Sequence, residues 1–180
     1  ELIVKGYLCP LKSKAGTKKP DTDSLHIRAG EFVSSEVDKL MDDESLVFSA
    51  CNEIIEKTKD RNSVLIFTSS IAHAEHVAER LAKGVGADNV GIVTGKTPAG
   101  ERAELLARFK GVEVAADLFG TVKPRIKYLV NVNVLTTGFD ATNIDCVVLL
   151  RPTASPGLYY QMVGRGFRLD KSKTDCLVLD

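Results

Sequence analysis

The chain has 180 residues, 24 Lys+Arg balanced by 24 Asp+Glu, and an apolar share of 44%. That is the length of one domain, and a chain of this size buries roughly 70% of its unfolded surface, enough for a core of its own. Zero net charge excludes a global field for polyanions, so any nucleic-acid contact has to come from local geometry, and no apolar run reaches the ~18 residues of a membrane span, so no membrane partner is expected.

In chain order, the apolar run Leu2–Leu8 predicts a first strand, and Lys12–Asp23, rich in Lys, Thr, Asp and Pro, predicts a mobile loop. Ser35–Met41 and Glu44–Thr58 carry helical periodicity. The first 60 residues thus read as strand, loop and helices packing on a core at 61–180. Val64–Phe67 is a strand, followed by Ser69 and Ser70 ahead of a helix over Ile71–Ala82. His73 and His76 lie three apart on that helix beside Glu75 and Glu79, which reads as a solvated polar face, since a zinc site needs more ligands and a second shell. Gly84-Val85-Gly86 follows a helix rather than a strand and reads as a helix stop.

Val90–Val93 is the next strand, and Thr97 before Pro98 predicts a cap and first turn for a helix over Pro98–Phe109. Residues 111–125 form a small hairpin or a short helix. Strands are expected at Lys127–Val132, Cys146–Leu150 and Cys176–Leu179, with a helix over Pro156–Phe167 capped by Ser155. Short apolar runs alternating with amphipathic stretches are the βαβ pattern of a parallel sheet, so the fold class is α/β. The helix starts after Ser70 and Thr97 both sit at strand C-terminal ends, where open sheets bind ligands and where helix N–H groups favour anions. Cys9, Cys51, Cys146 and Cys176 are scattered, with Cys146 and Cys176 inside apolar runs. They read as reduced thiols of a cytoplasmic protein.

The densest chemistry is Gln161-Met-Val-Gly164-Arg165-Gly166-Phe167-Arg168. On one continuous helix, 161, 165 and 168 fall at i, i+4 and i+7, so two guanidinium groups share a stripe and can converge on one polyanion. Their planar forks give bidentate contacts to phosphate oxygens. Upstream, Thr136-Thr137-Gly138-Phe139-Asp140 follows the apolar run Tyr128–Leu135. Glycine there permits a sharp turn and close approach to a ligand, and a carboxylate two residues on suits ribose hydroxyls. Gly95-Lys96-Thr97 is a decoy: a P-loop needs a glycine five residues before the second one, and position 90 is valine.

These three blocks, Val64–Ser70, Thr136–Asp140 and Gln161–Arg168, in this order resemble motifs IV, V and VI in the second RecA-like domain of superfamily-two helicases and translocases. The resemblance covers roughly residues 60–180. The Gln-x-x-Gly-Arg-x-x-Arg form is similar to the DEAH-like and DNA-translocase branches rather than to DEAD-box RNA helicases. It implies a three-layer RecA-like domain with a mostly parallel central sheet. It also implies that Arg165 and Arg168 are arginine fingers, that Gln161 orients phosphate or the attacking water, and that Gly138 and Asp140 lie at the nucleotide. Ser69, Ser70, Thr94, Gly95, Arg102, Thr136 and Thr137 match positions near the nucleic acid, whereas Val132 replaces the threonine many members carry there. The implied cofactor is ATP with Mg2+, held mainly by an N-terminal RecA-like domain absent from this chain. The implied partners are that domain and nucleic acid, DNA in preference to RNA. A chain that begins at Glu1 without methionine and stops just after an apolar run is expected to be a fragment of a two-domain motor, inactive by itself. The alternative is a non-catalytic RecA-like module that binds nucleic acid or protein without hydrolysis.

Overall fold

The structure, a computed structural model, describes residues 2–18, 20–132 and 141–180. Thr136, Thr137, Gly138 and Asp140 therefore lie outside the described residues.

Six strands form one sheet: β1 (Leu11–Lys14), β4 (Val64–Thr68), β5 (Val90–Val93), β6 (Tyr128–Asn131), β7 (Cys146–Leu150) and β8 (Cys176–Leu179), in the order β1-β8-β7-β4-β6-β5. All their pairings are parallel. A separate two-stranded hairpin joins β2 (Ile27–Arg28) to β3 (Glu31–Phe32). The helices are α1 (Ser34–Met41), α2 (Glu44–Lys57), α3 (Ile71–Val85), α4 (Ala99–Lys110) and α5 (Pro156–Val163).

Strand side chains alternate between faces, and both faces of β4, β6, β7 and β8 are covered, which is why these strands read as mostly apolar runs. Leu65, Phe67, Leu129, Val147 and Val178 pack in one cluster with Phe109 of α4 and Met162 and Val163 of α5. Val64, Ile66, Tyr128, Val130, Cys146, Val148 and Leu177 pack in the other, with Val47, Cys51 and Ile54 of α2 and Ala74, Val77 and Leu81 of α3. The result is three layers, helix on sheet on helix, as the RecA-like reading requires. Each fully buried Leu, Ile or Phe contributes on the order of 1.5–3 kcal/mol.

Two expectations about these elements need correction. The first strand is Leu11–Lys14, not Leu2–Leu8, so the segment expected to be a mobile loop opens with an edge strand. Gly6, at φ 73°, turns the chain back so that the Tyr7 N–H reaches the Leu2 carbonyl, and Leu2, Val4 and Tyr7 stay exposed. The edge strand carries Lys12 and Lys14, charges that suit an unpaired edge. Second, Pro98 and not Thr97 is the N-cap of α4, because the Thr97 hydroxyl is occupied elsewhere. Residues 111–125 take the first of the two forms expected, a hairpin, with Ala115 bridged to Val122 and the Asp117 carboxylate accepting from the Phe119 and Thr121 N–H groups.

Candidate nucleic-acid and nucleotide interface

Because β7, β4, β6 and β5 are adjacent and parallel, the segments leaving their C-terminal ends line up along one edge of the sheet. Arg151–Thr153 leave β7, Ser69 and Ser70 leave β4, and Thr94 and Gly95 leave β5. The edge itself is tied together by two buried polar groups that the sequence reading did not single out. Asn131 donates from Nδ2 to the Ile66 carbonyl at 3.0 Å, and the Thr68 hydroxyl donates to the Asn131 carbonyl at 3.1 Å. The only signal for Asn131 was a polar residue inside an apolar run.

At β4 the two serines have different tasks. Ser70 caps α3, its hydroxyl accepting the His73 N–H at 3.2 Å. Ser69 is half-buried, with its hydroxyl 3.1 Å from Nδ1 of His73. His73 is not on a solvated face: it is 1% exposed, and burial pushes its pKa down to about 4, against the attraction of Asp42, the C-cap of α1, and Asp38 on that helix. His76 does face solvent and pairs with Asp42 at 2.7 Å.

At β5 the loop closes on itself. The Thr94 N–H donates to the Thr97 hydroxyl at 2.9 Å, and the Lys96 N–H donates to the Thr94 hydroxyl at 3.1 Å. Arg102 is half-buried and turned back onto this loop, its Nη2 donating to the Thr94 and Thr97 carbonyls at 3.1 and 3.3 Å. Arg102 thus braces the loop, and Gly95 is left exposed at its tip, with nothing within 4 Å of the place a Cβ would take. Two N–H groups spent on side chains leave no phosphate cradle of the P-loop kind around Lys96.

The Gln161–Arg168 block starts as expected. Ser155 accepts the Leu158 N–H at 3.3 Å, and Pro156 occupies the first turn of α5. The helix then ends at Val163, four residues short of the expected Phe167, so Gln161, Arg165 and Arg168 do not share one continuous helical stripe. Beyond Gly164 the chain tightens to i→i−3 hydrogen bonds, Arg165 N–H to Met162 at 3.3 Å and Gly166 N–H to Val163 at 2.9 Å. The physical reason is Gly166. A Cβ there would stand 2.4 Å from Sγ of Cys176, so the turn presses its backbone onto β8 in a way only glycine allows. Lys173 fastens the same turn by donating to the Gly166 carbonyl at 3.0 Å, and the Phe167 carbonyl accepts the Cys9 N–H at 2.8 Å. Gln161 is exposed at the end of α5, while Arg165 and Arg168 are half-buried on the fastened turn.

Glu31, on the hairpin, was also missed. Its carboxylate accepts from the Thr153 hydroxyl and, at 2.8 Å, from the Ala154 N–H, fixing the loop that launches α5. Burial alone would raise its pKa, but the Thr153, Ala154 and Phe32 donors outweigh it and hold the carboxyl below the usual range. Between this loop, α2 and the end of β8 lies a cleft of about 550 Å³, with His73, Thr153 and Tyr159 among its lining. The four cysteines are buried free thiols, and burial pushes Cys51 and Cys176 up to about 12.

A three-layer domain with an all-parallel sheet, its capped helix starts and loops gathered on one strand edge and an arginine pair on a locked turn, has the architecture of a RecA-like domain. Residues 46–170 match the family model described as the helicase conserved C-terminal domain, and the chain belongs to that family. IRC3 of Saccharomyces cerevisiae, described provisionally as an ATP-dependent helicase, is 32% identical over all of this chain and 24% of its own length. Its namesake in Schizosaccharomyces pombe, described provisionally as a mitochondrial ATP-dependent helicase, is 34% identical over 90% of this chain and 25% of its own length. The chain thus spans about a quarter of each relative. Among solved structures, a fragment of an HsdR subunit of a type I restriction enzyme from Vibrio vulnificus superposes with a TM-score of 0.72 at 22% identity, over 99% of this chain and 33% of its own. That likeness concerns the fold.

Proposed function

We propose that this chain is the second motor domain of an ATP-dependent helicase or translocase, closing on an N-terminal RecA-like domain when ATP and a nucleic-acid strand bind. The observation that carries the reading is the turn holding Arg165 and Arg168. Gly166 seated on Cys176 and the Lys173 contact fix its backbone, and a preorganised arginine can be worth ~10³–10⁵ in phosphoryl transfer. Bound ATP with Mg2+, held mainly by the N-terminal domain, supplies the phosphoryl bond that breaks. Arg165 and Arg168 stabilise the charge developing on the γ-phosphate oxygens, and Gln161, exposed beside them, orients phosphate or water. Gly138 and Asp140 are assigned to the ribose side by the motif resemblance.

The strand lies along the edge formed by Ser69, Ser70, Thr94 and Gly95, and the motif resemblance alone adds Thr136 and Thr137 to its contacts. DNA is favoured by the Gln-x-x-Gly-Arg-x-x-Arg pattern. Its contacts are to phosphates, so they position the strand without reading its sequence. The test is strand-stimulated ATP turnover of the full-length protein carrying Ser69→Ala with Thr94→Val, or Thr136→Ala with Thr137→Ala, on DNA and on RNA of matched length. Each pair is expected to reduce the stimulation. Unchanged stimulation in both would put the strand on another surface.

A further inference from the structure

The first turn of α3 is bonded twice to the end of β4 through one residue. The His73 backbone N–H goes to the Ser70 hydroxyl at 3.2 Å, and its ring folds back so that Nδ1 meets both the Ser69 hydroxyl, at 3.1 Å, and the Ser69 backbone N–H, at 3.5 Å. A ring nitrogen facing a backbone N–H has to be the acceptor, so Nδ1 is bare and the ring hydrogen sits on Nε2. The ring is 1% exposed, with Asp38 on α1, Asp42 at the end of that helix and His76 on its own helix as its titratable neighbours. Burial outweighs the carboxylates and keeps the imidazole neutral at pH 7. The Ser69 hydroxyl therefore points its hydrogen inward.

That hydrogen is the one a phosphate oxygen needs. Turning it outward exchanges a neutral hydrogen bond for a charge-assisted one, which is the stronger of the two. Nδ1 is not stranded by the exchange, because the Ser69 backbone N–H stays as its donor. We propose that His73 is a positioning residue for strand binding: its buried ring anchors the Ser69 backbone and holds the Ser69 hydroxyl until a phosphate oxygen takes that hydrogen bond. The proposal rests on the reading that Ser69 faces the strand.

The test is a double-mutant cycle on the full-length protein, read as the affinity for a fluorescently labelled oligo-dT strand at fixed salt. Ser69→Ala is expected to weaken binding about three- to tenfold, the worth of the hydroxyl's bond to phosphate, and His73→Leu by a similar factor through loss of the bond that anchors the Ser69 backbone. The double variant should be no weaker than the worse single, because the two changes remove one arrangement. His73→Asn, whose carbonyl oxygen can stand in for Nδ1, should restore most of the affinity. Should His73→Leu fail to fold, His73→Gln, with its acceptor one methylene further out, takes its place in the cycle. Losses that multiply, no loss at His73, or no rescue by Asn would each overturn the positioning role while leaving the strand site standing. Full affinity in Ser69→Ala would instead overturn the strand reading at this edge, and the proposal with it.

Discussion

Burial sets the charge of His73, and its sign makes stability depend on pH. The folded pKa is about 4 and the ordinary value 6.5, so between those values the unfolded chain binds the proton and the folded one resists it. Stability is then full above about pH 6.5 and falls as the pH drops toward 4, by at most about 3 kcal/mol on the scale of 1.36 kcal/mol per unit. Urea unfolding at pH 7 and pH 4.5 should show a smaller acid loss in His73→Asn than in the parent, and equal losses would contradict a neutral buried ring. The carboxylates with lowered values, Glu31 among them, act in both proteins and cancel in the comparison. Lys96 is the contrasting residue. Its loop spends the Thr94 and Lys96 N–H groups internally, so Lys96→Ala is expected to leave ATP affinity of the full-length protein unchanged, measured by titration with a fluorescent ATP analogue. A loss above tenfold would restore the P-loop reading.

At the scale of elements, the turn after α5 carries the sharpest packing claim. Gly166→Ala sets a methyl 2.4 Å from the Cys176 Sγ and 3.2 Å from its Cβ. Cys176 is fully buried in a parallel strand, so overpacking is expected to cost about 1–3 kcal/mol, seen as a lower urea midpoint with an unchanged slope. No shift would mean that β8 yields easily and that the turn is not held. This contact also explains what the sequence concealed. Helical periodicity carried Arg165 and Arg168 onto one stripe, but the helix stops at Val163 because glycine and the neighbouring strand outvote the pattern. Strands β4, β6, β7 and β8 were legible because both faces are buried and the runs are mostly apolar, and β5 because one of its faces is buried. Strand β1 was hidden by its lysines, since an edge strand buries little and Leu11 is its one half-buried residue. The burial of His73 and the grip of Glu31 on Thr153, 122 residues away, depend on elements meeting across the fold, which local spacing does not encode.

For the whole molecule, the parallel sheet gathers the β4 and β5 loops on one edge and leaves the charge balanced at 24 against 24. Few lysines and arginines replace counterions there, so the isolated domain should bind a strand weakly, with an affinity that falls with salt along a shallow slope and is nearly alike for unrelated sequences. The central claim is that the locked turn delivers Arg165 and Arg168 to the phosphoryl group. Its most direct measurement is strand-stimulated kcat for ATP in the full-length protein with Arg165→Ala or Arg168→Ala, alongside ATP affinity and thermal stability. The account predicts kcat lower by about 10³-fold or more with affinity and stability nearly unchanged. Near-normal turnover in both variants, or loss of turnover only through unfolding, would contradict it and make the arginines structural.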